Sequence, residues 1–135
     1  MNRVTRCIMA GSLAITALTT TGCLLFVAGA GAGVGAVAYY DNELCATRDV
    51  GMDRAWDAAN ATMKEMDYTI IPAETHKDAT GGVVKGRNSK DQVVQIKLTR
   101  QTDKTTEIRV RVGMFATDAD KSAENMVFEK LSKHF

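Results

Sequence analysis

Four strand-like segments follow one another between Tyr68 and Met114, and the turns joining them are too short to carry a helix across a sheet. Parallel neighbours need a crossover of about a dozen residues or more, so this succession predicts an antiparallel sheet. The segments are Tyr68 to Ala73, Val83 to Arg87, Gln92 to Thr99 and Thr105 to Met114. Pro72 should confine the first to a sheet edge or end it, because proline donates no ladder hydrogen bond. Thr80-Gly81-Gly82 reads as a turn, and Asn88-Ser89-Lys90-Asp91 reads as a hairpin. Apolar residues alternate along the last two strands: Val94, Ile96 and Leu98, then Ile108, Val110, Val112 and Met114. One face is therefore apolar and must be covered.

Two helices are available to cover it. Met52, Trp56, Ala59, Met63 and Met66 recur at steps of four and three, with Asp49 as a candidate N-cap, while Arg54, Asp57, Lys64 and Glu65 take the other side. A closing helix runs from Asp118 to His134, capped by Thr117, with Ala123, Val127, Leu131 and Phe135 as its apolar ridge and Met126 beside it. Leu44 to Val50 is a first strand. The order β-α-β-β-β-β-α predicts an α+β fold, a two-layer sandwich with an antiparallel sheet and both helices on one face.

Ahead of that domain stands an export pattern. Arg3 and Arg6 form a positive start, Cys7 to Leu18 is apolar, and small residues lead to Gly22-Cys23. A cysteine after small residues resembles the bacterial lipobox, with Thr20 standing where the lipobox has leucine. The resemblance implies cleavage before Cys23, lipidation of its thiol, and anchoring to membrane lipid. Residues 1–22 then form a signal peptide, 23–43 a lipidated, glycine-rich, membrane-proximal segment, and 44–135 the α+β domain. An uncleaved signal-anchor helix is the alternative.

The run Leu24 to Tyr40 carries no charge. Gly29, Gly31, Gly33 and Gly35 give two overlapping G-x-x-x-G spacings, which on a helix in lipid would let another helix approach closely. One reading is a self-association segment forming a homo-oligomer, with Tyr39 and Tyr40 at the membrane–water interface. The other is an apolar tether lying on the lipid. Gly31 to Ala36 also fits a dinucleotide-binding turn, but the strand-helix-strand context of that motif is missing, so no cofactor is expected.

The glycine run after the lipobox, Asp53-Arg54-Ala55-Trp56, Gly81-Gly82 and Val112-Gly113-Met114-Phe115 together resemble a family of small bacterial lipoproteins classified as a domain of unknown function. That family implies no catalytic or binding residues. The element order is also similar to the helix-grip domains of the BamC lipoprotein of the outer-membrane β-barrel assembly machinery, a likeness of fold alone.

Charge and chemistry narrow the functional classes. The chain has 135 residues with 17 basic and 16 acidic; without Arg3 and Arg6 the basic count falls to 15, so no nucleic-acid partner is expected. The mature chain keeps Cys23 and Cys45, and Cys45 reads either as a buried apolar residue or as half of an intermolecular disulfide. No nucleophile–base pair or metal-ligand spacing stands out, and Glu74, His76 and Asp78 read as a solvated loop rather than a metal site. Strand alternation turns Val83, Lys85, Arg87, Gln95, Lys97, Thr99, Glu107, Arg109 and Arg111 away from the helices, five bases against one acid. Lys85, Arg87, Lys97, Arg109 and Arg111 are thus a candidate anion-binding face, with a merely solvated face as the other reading.

The expectation is a non-enzymatic, membrane-anchored envelope lipoprotein with a structural or protein-interaction role and an unidentified envelope protein partner. The alternative is a binding module for an anionic envelope component, such as lipid, lipopolysaccharide or an acidic partner, through the basic face. Leu24 after the cysteine resembles sorting to the outer membrane, facing the periplasm.

Overall fold

The computed structural model describes residues 37–115 and 117–135. Its strands are β1 (Val37–Tyr40), β2 (Glu43–Arg48), β3 (Thr69–Ile70), β4 (His76–Lys77), β5 (Gly81–Arg87), β6 (Val93–Arg100) and β7 (Thr106–Val112). The helices are α1 (Met52–Glu65) and α2 (Asp118–Ser132). All strands join one antiparallel sheet in the order β1-β2-β7-β6-β5-β3, with β4 also on β5. The α1 helix lies over β5 and β6, and α2 over β7 and β2. The α+β two-layer sandwich expected from the sequence is the fold.

Local chemistry explains each departure from the expected elements. The strand β1 belongs to the stretch assigned to the membrane-proximal segment 23–43, yet it pairs with β2, so the sheet already includes Val37. A two-residue turn joins them, with φ of 50° at Asp41 and 62° at Asn42, a hairpin geometry that Asp and Asn tolerate well. Pro72 starts a 3-10 turn (Pro72–Glu74) that ends the expected second strand after β3, and β4, in the stretch read as a loop, pairs with the same edge of β5.

Gly81 and Gly82 do not form the turn; they open β5, and the turn sits one step earlier, where Asp78 Oδ1 accepts from the backbone N–H groups of Thr80 and Gly81. The glycines are needed for contact instead. A Cβ at Gly81 would stand 2.5 Å from the Leu98 carbonyl oxygen, and one at Gly82 would meet the Trp56 ring. Asp49 does not cap α1, whose N-cap is Gly51 without a side-chain bond. Thr117 does cap α2, in a capping box with Asp120.

The core lies between the layers. Leu44, Val84, Val94, Ile96, Leu98, Ile108, Val110 and Val112 meet Met52, Ala55, Ala59 and Met63 of α1 and Val127, Phe128 and Leu131 of α2. Each large aliphatic side chain buried there contributes about 1.5–3 kcal/mol relative to exposure. Trp56, Met66, Ala123 and Phe135 pack at its margin. Met114 is not on the core face: β7 ends at Val112, Gly113 turns the chain with φ of 73°, and Met114 is 73% exposed. Met126 is exposed as well. Among the described residues no helix is long and apolar enough to cross a membrane.

Candidate functional site

Strand register determines which polar groups share the sheet face away from the helices. Glu43 lies opposite Tyr40, and along the same row Arg111 lies opposite Gln95 and Gln95 opposite Lys85. In the next row Cys45 pairs with Arg109, Arg109 with Lys97 and Lys97 with Val83. The predicted outward set does share this face, but the balance of five bases against one acid does not hold once Glu43 joins it.

Most of the five bases have carboxylate partners. Arg109 Nε donates to Glu107 Oε1 at 2.6 Å, and its Nη1 lies 3.9 Å from Glu43. Arg111 is 4.0 Å from the same Glu43. Lys85 pairs with Glu74 at 2.8 Å and Arg87 with Asp91 at 3.1 Å. Lys97 is exposed, and no ion pair joins it to the described residues. Glu107, outward by register, is 5% exposed because Arg109 and Gln101 both donate to it. That hydrogen bond from Arg109 raises the guanidinium pKa further. The face is therefore a lattice of paired charges rather than a field of one sign.

Cys45 is buried on this face, its Sγ 3.7 Å from Glu107 Oε1, and it is a disulfide cysteine. The sequence alone reads it either as a buried apolar residue or as half of an intermolecular disulfide. Glu74 and Asp78 are taken up by Lys85 and by the turn at Thr80. Among the described residues no group of three or more His, Cys, Asp and Glu is arranged to hold a metal. Cys23, Gly29, Gly31, Gly33 and Gly35, together with the dinucleotide-like motif, lie outside the described residues.

A second constellation was not anticipated. Under the β1–β2 turn, at the end of the sheet where β7 stops, a cavity of about 270 Å³ is lined by Tyr39, Asp41, Asn42, Lys121 and Glu124. Glu124 is 1% exposed. Its Oε1 accepts from the Val112 backbone N–H at 3.1 Å, while its Oε2 is buried with no hydrogen-bond partner among the described residues. Burial pushes the Glu124 carboxyl above the usual range, and the nearby Asp120 and Glu43 push the same way. Asp120 is held below it by Thr117 and Gln92. The signal in the sequence was an acid four residues before Phe128, on the face that α2 buries.

The motifs behind the family resemblance come together as packing. Asp53 of α1 receives Lys77 of β4 at 2.7 Å, and Trp56, one turn on, covers Gly82. Gly113 leaves room for the Asp120 carboxylate, which would be 3.0 Å from a Cβ there.

A comparison with curated proteins finds no match. The family model described as a protein of unknown function (DUF3568) matches residues 6–128. That span covers the whole described sheet, α1 and most of α2, and the chain belongs to this family.

Proposed function

We infer that the protein is a non-catalytic lipoprotein of the bacterial envelope, anchored through acylated Cys23, with a structural or protein-interaction role at the periplasmic side of the outer membrane. One observation carries the reading: the order of Arg3 and Arg6, the apolar stretch to Leu18, and small Gly22 directly before Cys23. A diacylated cysteine holds a domain on lipid without a spanning helix. Replacing Cys23 with Ser should abolish fatty-acid labelling and leave the precursor uncleaved. Normal acylation of that variant overturns the anchor.

Self-association through the glycine run belongs to the same proposal. Gly29→Leu with Gly33→Leu should reduce crosslinked oligomer in membranes without altering lipidation, and an unchanged oligomer yield would leave the segment a tether. The anionic-component reading has less support, because Lys85, Arg87, Arg109 and Arg111 all have carboxylate partners.

A further inference from the structure

Glu124 poses a chemical problem that its neighbours do not solve. A buried carboxylate oxygen without a donor is costly, and such groups in native proteins are rare. The charged groups around it are Asp120 on α2, Glu43 on β2 and Arg111 on β7, with Tyr39 on β1. Two of these are acids. Arg111 faces Glu43, and the Tyr39 hydroxyl donates to the Lys121 carbonyl oxygen at 3.2 Å. No group among the described residues donates to Oε2, and Glu124 lines a cavity together with Tyr39, Asp41, Asn42 and Lys121.

We propose that this cavity binds a primary ammonium group carried on a small anionic molecule, Glu124 and Asp41 taking the ammonium and Lys121 the anion. An ammonium brings three N–H donors, enough for Glu124 Oε2 and for acceptors on the Asp41-Asn42 rim. A quaternary ammonium has none and would leave Oε2 unsatisfied. A divalent cation is held by several carboxylates together with other oxygens, and among the described residues no group of three or more metal-binding side chains is arranged for it. At about 270 Å³ the space suits a molecule of phosphoethanolamine size. The same chemistry occurs in a lipid headgroup and in a free solute. This assignment does not depend on the anchor at Cys23.

The raised carboxyl of Glu124 supplies a second readout, because an ammonium beside it favours the charged form and links binding to proton release over the pH range in which that carboxyl titrates. The test is calorimetric titration of the full chain in detergent with phosphoethanolamine, in two buffers that lack primary amines and differ in ionisation enthalpy. Saturable binding with a buffer-dependent heat is expected, at least tenfold weaker in Glu124→Gln and in Asp41→Asn, with no binding of phosphocholine. Asp41→Asn keeps the turn, since Asn accepts its left-handed φ. Repeating the titration in vesicles separates the sources. Phosphatidylethanolamine vesicles that abolish binding of added phosphoethanolamine, where phosphatidylcholine vesicles do not, identify a lipid headgroup; binding undiminished in both identifies a free solute. Failure of phosphoethanolamine to saturate at millimolar concentration, equal affinity for phosphocholine, or full binding in either variant overturns the proposal.

Discussion

A Cβ atom at Gly82 would stand 2.8 Å from Cζ3 of Trp56, so the indole of α1 rests directly on the backbone of β5. Gly82→Ala must push the ring away, and the expected cost is about 1–3 kcal/mol, the range for overpacking. Trp56→Leu, which removes the ring, should relieve most of that cost. Urea denaturation of the two single variants and the double variant measures the coupling, and additive effects would mean that the two do not touch.

The entry to α2 depends on Thr117 and Gly113. Thr117→Ala removes the cap and should cost about 0.5–2 kcal/mol. Gly113→Ala forces a side chain into the left-handed region beside the Asp120 carboxylate and should cost at least about 1–2 kcal/mol. Thermal melts of the full chain check both. Indifference to Gly113→Ala would mean that the turn has another shape.

Glu124 makes stability depend on pH in a definite direction. The folded carboxyl sits above the ordinary glutamate range because it is buried beside Asp120 and Glu43, Arg111 only partly opposing this. The folded protein therefore keeps a proton that the unfolded chain releases. Its stabilising effect is complete below the unfolded value and declines as pH rises through the raised folded value. Asp120 has the opposite sign: its hydrogen bonds with Thr117 and Gln92 stabilise at neutral pH and are lost as pH falls through its lowered value. Glu124→Gln should remove the alkaline-side decline and melt higher than the parent near neutrality. A parallel fall in both proteins would show that another group titrates.

Glu107 holds Arg109 on the sheet face. Glu107→Gln should cost about 1.5–3 kcal/mol, the value of a hydrogen bond to a charged group. It also releases a guanidinium, so retention on a phosphate-bearing matrix should increase and should weaken with salt. Unchanged retention would mean that Glu43 alone keeps Arg109 occupied.

Most of the fold was legible where periodicity was long. Ile96, Leu98, Ile108 and Val110 sit where alternation places them, and Met52, Ala59 and Met63 line the inner side of α1. What escaped was short or dual in meaning. The Val37–Tyr40 strand continues an apolar glycine-rich run, and only Asp41-Asn42, a pair suited to a two-residue hairpin, marks it. Gly81-Gly82 reads locally as a turn, whereas its cause is a close approach to Trp56 and Leu98. Of the basic face, the residue types and their common side were readable. The pairing was not, because Glu43, Glu74 and Asp91 arrive from other segments. The Glu124 cavity needed β1 in place before it could exist.

The sheet order also fixes a sequence of assembly. The β5–β6 and β6–β7 pairs join neighbouring segments, whereas β2 reaches β7 by bringing together Leu44 and Val110, 66 positions apart. Closing the longer loop costs more chain entropy before any contact repays it. The β5–β6–β7 meander should form first, with the β1–β2 hairpin docking late. Changes at Ile96 or Val110 then slow folding, while changes at Tyr39 or Leu44 mainly speed unfolding. The first part to open under strain is the hairpin, and with it the roof over Glu124.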